Sequence, residues 1–261
     1  MSDLKVLKFE NGGPADTGMV EWEEIPQSSL TAGTPVQSGH NYFTDDTGTL
    51  TAGVWHCTPM TAKPGPYDVN EFMLVLDGSV TIIHENGDEH TIRAGESFVI
   101  PKGMPCTWKQ TEDILKFYVI HDDPSGDVLG DDALNVRLPN PADDLAPVGE
   151  QDTSRYVGDV PEQTVKVYFQ DATEQLTVGI WTTTEMHTKP LPFPRNELMH
   201  ILEGEVTLTD DNGAKTTYKA GDTFLVPKGI TYQWDSTGFV KKIFCIFQPK
   251  EAAAAAADAA E

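Results

Sequence analysis

Two glutamates and one cysteine are the residues of this sequence whose type and surroundings could carry chemistry. Glu71 and Glu197 each lie in a largely apolar run, NEFMLVLDG and NELMHILEG. Burial in such a run raises the pKa of a carboxyl group, which can then act as a general acid or base or anchor a substrate. Cys106 offers a thiol nucleophile, although the sequence places no histidine to activate it. Its alternative role is that of a small buried hydrophobe.

The two glutamates belong to a set of residues that occurs twice. An offset of 126 positions relates 42–120 to 168–246, and about 33 of the 79 aligned residues are identical. A unit of this length can hold its own core, so the chain is a tandem duplication rather than a solenoid. Tryptophan, glutamate and lysine recur at the matched positions 55/181, 71/197, 108/234 and 116/242. Such residues could be core packing with a structural Glu–Lys ion pair, or a functional site.

Each copy is predicted to consist of short β-strands separated by turns. Asn86-Gly87 and Asn212-Gly213 lie between β-rich runs and predict hairpins, because a type I′ turn needs positive φ at both central residues. Later strands end at two PKG turns, 101–103 and 227–229, where proline cannot donate to a ladder. Helical periodicity is absent from about 40 to 120, which favours an all-β barrel or sandwich.

Composition excludes several classes of partner. The chain has 18 Lys and Arg against 41 Asp and Glu, a formal charge of −23, which disfavours nucleic acid and anionic membranes. Its three cysteines form no CxxC pair and give no zinc-site signal. The first residues lack the apolar run of a signal peptide, and no stretch is long enough for a membrane span. We therefore expect a cytoplasmic protein.

The duplication divides the chain into five segments. An N-terminal arm (1–40) precedes the first barrel (41–121), and an acidic, Pro- and Asp-rich linker (122–160) leads to the second barrel (161–249). Because this composition buries little apolar area, we expect the linker to be solvated and to have little structure. An Ala-rich tail (250–261) follows and carries no chemistry.

The spacing of the repeated motifs resembles the cupin superfamily. In each copy a glutamate is followed by six residues and a glycine (Glu71 to Gly78), as at the end of the first cupin motif. A glycine, five residues and PxG (Gly95 to Pro101) match the second. The strings GVW, LxGxV and PKGxxxxW look most like the cupin domain of ureidoglycine aminohydrolase and the related small ethanolamine-utilisation cupins. The resemblance implies an all-β bicupin, two tandem double-stranded β-helix barrels of jelly-roll type, each with a pocket at its mouth.

Typical cupins bind a divalent metal through two histidines, a glutamate and a third histidine, and this chain retains only the glutamate. The other positions hold residues that are mostly unable to ligate a metal, namely Pro64, Gly65, Pro66, Tyr67 and Cys106 in copy one and Pro190, Leu191, Pro192, Phe193 and Tyr232 in copy two. We therefore expect no cofactor, with a divalent metal as the alternative. The nearby histidines are expected to be exposed or satisfied elsewhere, at His56, His187 and His200.

The resemblance implies that an aromatic pocket surrounds each glutamate. With Glu71, Glu197 and Cys106 as catalytic candidates, the expected ligand-binding residues are Trp55, Tyr67, Met73, Trp108, Lys116 and Tyr118 in the first barrel and Trp181, Met199, Tyr232, Trp234 and Lys242 in the second. Aromatic walls with few polar anchors suit a small polar metabolite, the function we expect. One alternative is a hydrolase or isomerase related to ureidoglycine aminohydrolase that uses Glu71 or Glu197. Another is a structural or regulatory module that pairs as a homodimer.

Overall fold

The computed structural model describes residues 4–249, which consist mainly of β-strands. No α-helix occurs in this range, and its three short 3-10 helices are η1 (Gln27–Ser29), η2 (Asp131–Ala133) and η3 (Thr153–Arg155). None of these helices has the length or hydropathy to span a membrane. The predicted all-β fold with two tandem barrels is confirmed, while the predicted tail (250–261) lies outside the described residues.

The strands of the two repeats correspond one to one over most of their length. Those up to the end of the first barrel are β1 (Leu7–Phe9), β2 (Val20–Glu21), β3 (Leu30–Ala32), β4 (Gln37–Thr44), β5 (Leu50–Cys57), β6 (Met60–Ala62), β7 (Gly65–Pro66), β8 (Asn70–Asp77), β9 (Ser79–His84), β10 (Glu89–Arg93), β11 (Ser97–Ile100), β12 (Pro105–Gln110) and β13 (Ile114–His121). Those of the linker and second barrel are β14 (Ala146–Pro147), β15 (Gln163–Gln170), β16 (Leu176–Thr183), β17 (Met186–His187), β18 (Leu191–Pro192), β19 (Asn196–Glu203), β20 (Glu205–Asp210), β21 (Lys215–Lys219), β22 (Thr223–Val226), β23 (Thr231–Ser236) and β24 (Val240–Phe247).

Each barrel is built from two antiparallel sheets. In the first barrel the strand orders are β11-β8-β13-β5-β4-β2 and β10-β9-β12-β6-β3, with β7 also paired to β12. In the second they are β1-β22-β19-β24-β16-β15-β14 and β17-β23-β20-β21, with β18 also paired to β23. One sheet of each barrel carries both the glutamate and the lysine, on β8 and β13 in the first barrel and on β19 and β24 in the second.

Alternation along these strands separates a barrel interior from an interface between the barrels. On β5, Leu50, Ala52 and Val54 belong to a hydrophobic cluster shared by both barrels, whereas Trp55 belongs to the interior of the first. The second barrel contributes the matched residues to the shared cluster, among them Leu176, Val178, Ile180 and Phe247. The two sheets that carry the glutamate and the lysine therefore pack back to back, and their other faces line the barrel interiors.

The N-terminal arm forms β-strand pairs with both barrels. Its strand β1 pairs with β22 of the second barrel, with Leu7 opposite Leu225. Its strands β2 and β3 then pair with β4 and β6 of the first barrel. One arm thus covers an edge of each barrel, which protects edge strands from pairing with other chains.

The linker is more ordered than its composition predicts, so the expectation of little structure is wrong. Arg137 exchanges backbone hydrogen bonds with Val99 at the edge of the first barrel. Strand β14 pairs with β15, and Tyr156 is buried against the second barrel. Backbone pairing and a few apolar anchors order this segment, and neither is visible in its average composition.

Candidate functional site

A lysine ammonium group held by a glutamate occupies the centre of the first barrel. Lys116 Nζ lies 2.6 Å from Glu71 Oε1, and both side chains are 6% exposed. The ammonium group also lies 4.8 Å from the ring centroids of both Trp55 and Trp108. Two aromatic faces and one carboxylate therefore surround the cation, a combination that compensates for its loss of water.

The second barrel repeats this arrangement. Lys242 Nζ lies 2.7 Å from Glu197 Oε1 and within 4.9 and 5.3 Å of the ring centroids of Trp181 and Trp234. The Glu–Lys ion pair that the sequence offered as an alternative is thus present in both barrels. Each lysine also approaches a methionine sulfur, that of Met73 at 2.9 Å or Met199 at 3.2 Å.

The second carboxylate oxygen is used differently in the two barrels. The Tyr67 hydroxyl donates to Glu71 Oε2. In the second barrel Arg195 Nε donates to Glu197 Oε2 at 3.1 Å. Burial raises the pKa of Glu197, but the charges of Lys242 and Arg195 outweigh burial and lower it overall. The expectation of a raised pKa is therefore wrong for Glu197, because Arg195, which was not foreseen, adds a second cation to that of Lys242.

Amide and hydroxyl groups fix the tryptophan rings. Trp55 Nε1 donates to Gln37 at 2.8 Å, and Trp181 Nε1 donates to Gln163 at 3.0 Å. Trp108 Nε1 donates to Gln110 at 2.7 Å, where the second barrel uses a serine. Gln37 and Gln163 were missed in the sequence, although their separation equals the repeat offset and could have revealed them.

A cavity opens above each ion pair. Cup 1, about 520 Å³, is lined by Trp22, Trp55, Tyr67, Glu71, Trp108, Lys116 and Tyr118 together with smaller residues. Cup 2, about 600 Å³, is lined by Trp181, Glu197, Tyr232, Trp234 and Lys242 together with linker and loop residues. Most of the predicted ligand-binding residues therefore come together at two cavities.

Three predicted site residues do not line a cup. Met73 and Met199 are fully buried beneath the lysines, and Cys106 lies in the interior cluster of the first barrel. The alternation of side chains along the strands placed them on the interior face but could not give their depth, and their roles in ligand binding or catalysis stay predictions.

The GxW motif of each repeat has a steric explanation. A Cβ atom on Gly53 would lie 2.5 Å from the Tyr118 hydroxyl, and Gly179 faces the ring of Phe244 in the same way. A residue without a side chain therefore lets the ring from the neighbouring strand lie across the floor of each cup. Cup 1 gains a hydroxyl at this place and cup 2 does not.

We expect the three thiols to be unreactive in the folded protein. Burial raises the pKa of Cys57 and of Cys106 to about 11, and that of Cys245 well above its usual value. At pH 8, Ellman's reagent should label the native protein at least about 100-fold more slowly than the denatured protein. Fast labelling of Cys106, identified by mass spectrometry, would contradict this assignment and restore a nucleophilic role.

The nearby histidines point away from the cups. His56 lies 3.3 Å from Asp113, and His187 lies 2.7 Å from Asp235 and 2.9 Å from Glu185. His200 bonds Thr223 at 2.8 Å on the face opposite Glu197. These partners agree with the expectation that none of the three is a ligand in a barrel.

The cups do not offer a donor set that fits a divalent metal. Both oxygens of each glutamate already accept hydrogen bonds, and a lysine cation lies beside each carboxylate. In residues 4–249 no group of three His, Cys, Asp or Glu side chains could hold a metal ion. A divalent ion would face the ammonium group at close range without imidazole ligands to compensate for the repulsion.

The buried imidazole of His200 predicts a loss of stability in mild acid. Burial lowers its pKa from 6.5 to about 4, although the Asp222 carboxylate opposes the shift. A histidine that is held neutral contributes stability above pH 6.5, and this contribution is lost as the pH falls towards 4. We expect about 2 to 3 kcal/mol of unfolding free energy to disappear over this range.

The matched residue of the first barrel supplies the control for this prediction. Leu74 occupies the position of His200 and is buried. The variant His200→Leu should therefore unfold in urea with a free energy that changes much less between pH 6.5 and 4. If His200→Leu loses as much unfolding free energy between pH 6.5 and 4 as the wild-type protein, groups other than His200 cause the loss.

Segments outside the repeats cover both cups. Trp22 of the arm contacts Tyr118 edge-on at 6.3 Å and lines cup 1. In the second barrel the Tyr156 hydroxyl accepts from Gln163 at 2.6 Å, and Arg155 lines cup 2. None of Trp22, Arg155 and Tyr156 has an identical residue at the repeat offset, so the duplication could not indicate them.

Comparison with known proteins identifies the domain type. The EutQ-like cupin domain matches residues 44–118 and 170–244, which are more than half of the chain. No curated protein sequence matches. A solved structure of a DUF861-family protein of unknown function from Pseudomonas syringae pv. tomato is 24% identical with a TM-score of 0.74, over 94% of this chain and 100% of the other.

Two further solved structures share the fold at lower similarity. The protein YlbA from E. coli, also of the DUF861 family, is 13% identical with a TM-score of 0.55, over 94% of this chain and 95% of the other. A cupin 2 conserved barrel domain protein from Leptotrichia buccalis is 13% identical with a TM-score of 0.56, over 88% and 98%. At these identities the structures establish the two-barrel fold and nothing about ligands.

Proposed function

The chain belongs to the EutQ-like cupin domain family, and on that basis we propose that it binds a small polar metabolite in one or both cups without a metal ion. The proposal concerns cup 1 and cup 2 as defined above. Each combines aromatic walls with a few fixed polar groups, the composition typical of small-molecule sites.

The observation that carries the proposal is the position of the lysine in both barrels. Its ammonium group bonds the one carboxylate that remains of the usual cupin metal site. The cation is held within the protein, so it neutralises the glutamate without an exchangeable ion. What remains accessible above it is a cavity with indole, phenol and ammonium groups that can contact a ligand directly.

A metabolite panel in the presence of EDTA tests this proposal. Thermal stabilisation and calorimetry would be measured on the wild-type protein and on two variants in which a tryptophan fills one cup. Thr51 lines cup 1 and Thr177 is its counterpart in cup 2. We expect binding of at least one panel member, and loss of that binding in either Thr51→Trp or Thr177→Trp. Binding that requires added metal, or no binding to either cup, would refute the proposal.

A second candidate function is hydrolysis or isomerisation of a metabolite in cup 1. The observation that favours it is a hydrogen-bonded series in which Tyr67 and Lys116 both donate to Glu71. Such a series can deliver or receive a proton at the phenol or the ammonium group. If the candidate is correct, Glu71→Gln abolishes turnover of a cup 1 ligand while Glu197→Gln leaves it unchanged. Equal turnover in both variants would exclude it.

A further inference from the structure

We infer that cup 2 selects a small organic anion whose carboxylate is held by Arg195 and Arg155, whereas cup 1 has no such preference. This inference rests on the proposed function, because it names the ligand class of one of the two cups. It starts from a difference between sites that are otherwise matched residue for residue.

Two guanidinium groups line cup 2. Arg195 uses its Nε to bond Glu197, and its side chain remains 37% exposed. The guanidinium carbon of Arg155 lies 5.9 Å from the ring centroid of Tyr156. Across residues 4–249, the Arg155 side chain forms no ion pair and donates no side-chain hydrogen bond. Guanidinium groups with free N–H donors are the groups best suited to bind a carboxylate through two parallel hydrogen bonds.

The charges deep in cup 2 do not cancel. The Glu197 carboxylate is shared by two cations, Lys242 and Arg195, and the exposed Arg155 adds a third cation at the rim. Burial raises the pKa of the Tyr232 hydroxyl and Glu197 adds to this effect, while Arg195 and Arg155 both lower it. Both arginines and Tyr232 also line the same cavity.

The other acidic side chains of cup 2 lie at its rim. Glu150, Asp152 and Glu174 line the cavity, and all three are exposed to solvent. Asp152 accepts from the backbone N–H and hydroxyl of Ser154 at the start of η3, and Arg155 acts on it only through its charge, without a hydrogen bond. Glu150 is exposed to solvent, where its charge is screened.

Cup 1 lacks both arginines. The counterpart of Arg195 is Val69, and the position matched to Arg155 by the repeat offset is Ser29. Its arm contributes the indole of Trp22 instead, and its single cation, Lys116, is balanced by Glu71. The two copies therefore differ at the mouths of their cups, since only cup 2 carries arginine side chains there.

Calorimetry with matched acids and amides tests the inference. The probes are benzoate and succinate, each with its neutral counterpart, benzamide or succinamide, titrated into the Thr51→Trp protein so that only cup 2 is open. We expect at least one carboxylate to bind about 10-fold or more tightly than its amide. Arg155→Gln and Arg195→Val should each weaken the carboxylate by about 10-fold or more and leave the amide unchanged.

The controls separate this inference from the proposed function. Thermal melting of each variant establishes that it is folded, and Thr177→Trp should abolish carboxylate binding. The inference is overturned if neither carboxylate binds, if acid and amide bind equally, or if Arg155→Gln leaves the carboxylate affinity unchanged. If the inference fails but a neutral metabolite binds in cup 2, the proposed function still holds. If no ligand binds in either cup, both the inference and the proposed function are refuted.

Discussion

Replacing Lys116 with methionine is expected to lower the free energy of unfolding by about 3 to 5 kcal/mol, because it leaves the Glu71 carboxylate buried without its ion-pair partner. The carboxylate is 6% exposed, so water cannot replace the ammonium group. The methionine also gives up the contacts of a cation with Trp55 and Trp108. Urea denaturation of the variant and of the wild-type protein measures the difference.

The double variant Glu71→Gln, Lys116→Met distinguishes an unpaired charge from a loss of packing. With the charge removed, it should recover at least half of the lost stability, since replacing both partners of a buried pair is far less costly than removing one. Lys109 lies exposed on β12, and Lys109→Met should change stability by less than about 0.5 kcal/mol. If Lys116→Met alone is as stable as Lys109→Met, the Lys116–Glu71 ion pair is not formed.

Replacing Phe247 with alanine is expected to destabilise both barrels together by about 3 to 5 kcal/mol. Phe247 is 1% exposed, lies in the cluster shared by the two barrels and contacts the His121 ring of the first barrel at 4.8 Å. The cavity left by the truncation would therefore open at the interface and weaken both halves. Denaturation monitored by tryptophan fluorescence should remain a single transition, shifted to lower urea.

An exposed phenylalanine of the same strand region provides the comparison. Phe239 is 45% exposed, so Phe239→Ala should cost less than about 0.5 kcal/mol. Two separated transitions in Phe247→Ala, of which only one moves, would contradict the shared interface and indicate that the barrels unfold independently.

The fold and the centre of each cup could be predicted because their signals are short sequence motifs and because each motif occurs in both repeats. Turn residues such as Asn86-Gly87 separate the strands. The recurrence of Trp55, Glu71 and Lys116 126 positions later indicated either core packing with a Glu–Lys ion pair or a functional site. The alternation of side chains along a strand shows which face a residue lies on but not how deeply it is buried. Cys106 was therefore predicted to line the cup, although it lies in the interior cluster of the first barrel.

The mouths of the cups depend on contacts that composition and repeat symmetry do not report. Arg155 and Tyr156 lie in a segment whose acidic, proline-rich composition predicts disorder, yet Tyr156 is buried and its hydroxyl accepts from Gln163. Trp22 reaches cup 1 from an arm that has no counterpart in the alignment of the repeats. A few long-range anchors decide these positions, and single-sequence patterns are insensitive to them.

The central claim is that an internal lysine, rather than a metal ion, neutralises the retained cupin glutamate in each barrel. The most direct measurement is a crystal structure of the protein grown with millimolar Mn²⁺, with anomalous diffraction recorded at the manganese edge. We predict an ammonium group within hydrogen-bond distance of both Glu71 and Glu197 and no anomalous peak beside either carboxylate. A peak bonded to either glutamate, with the lysine displaced, would contradict the account.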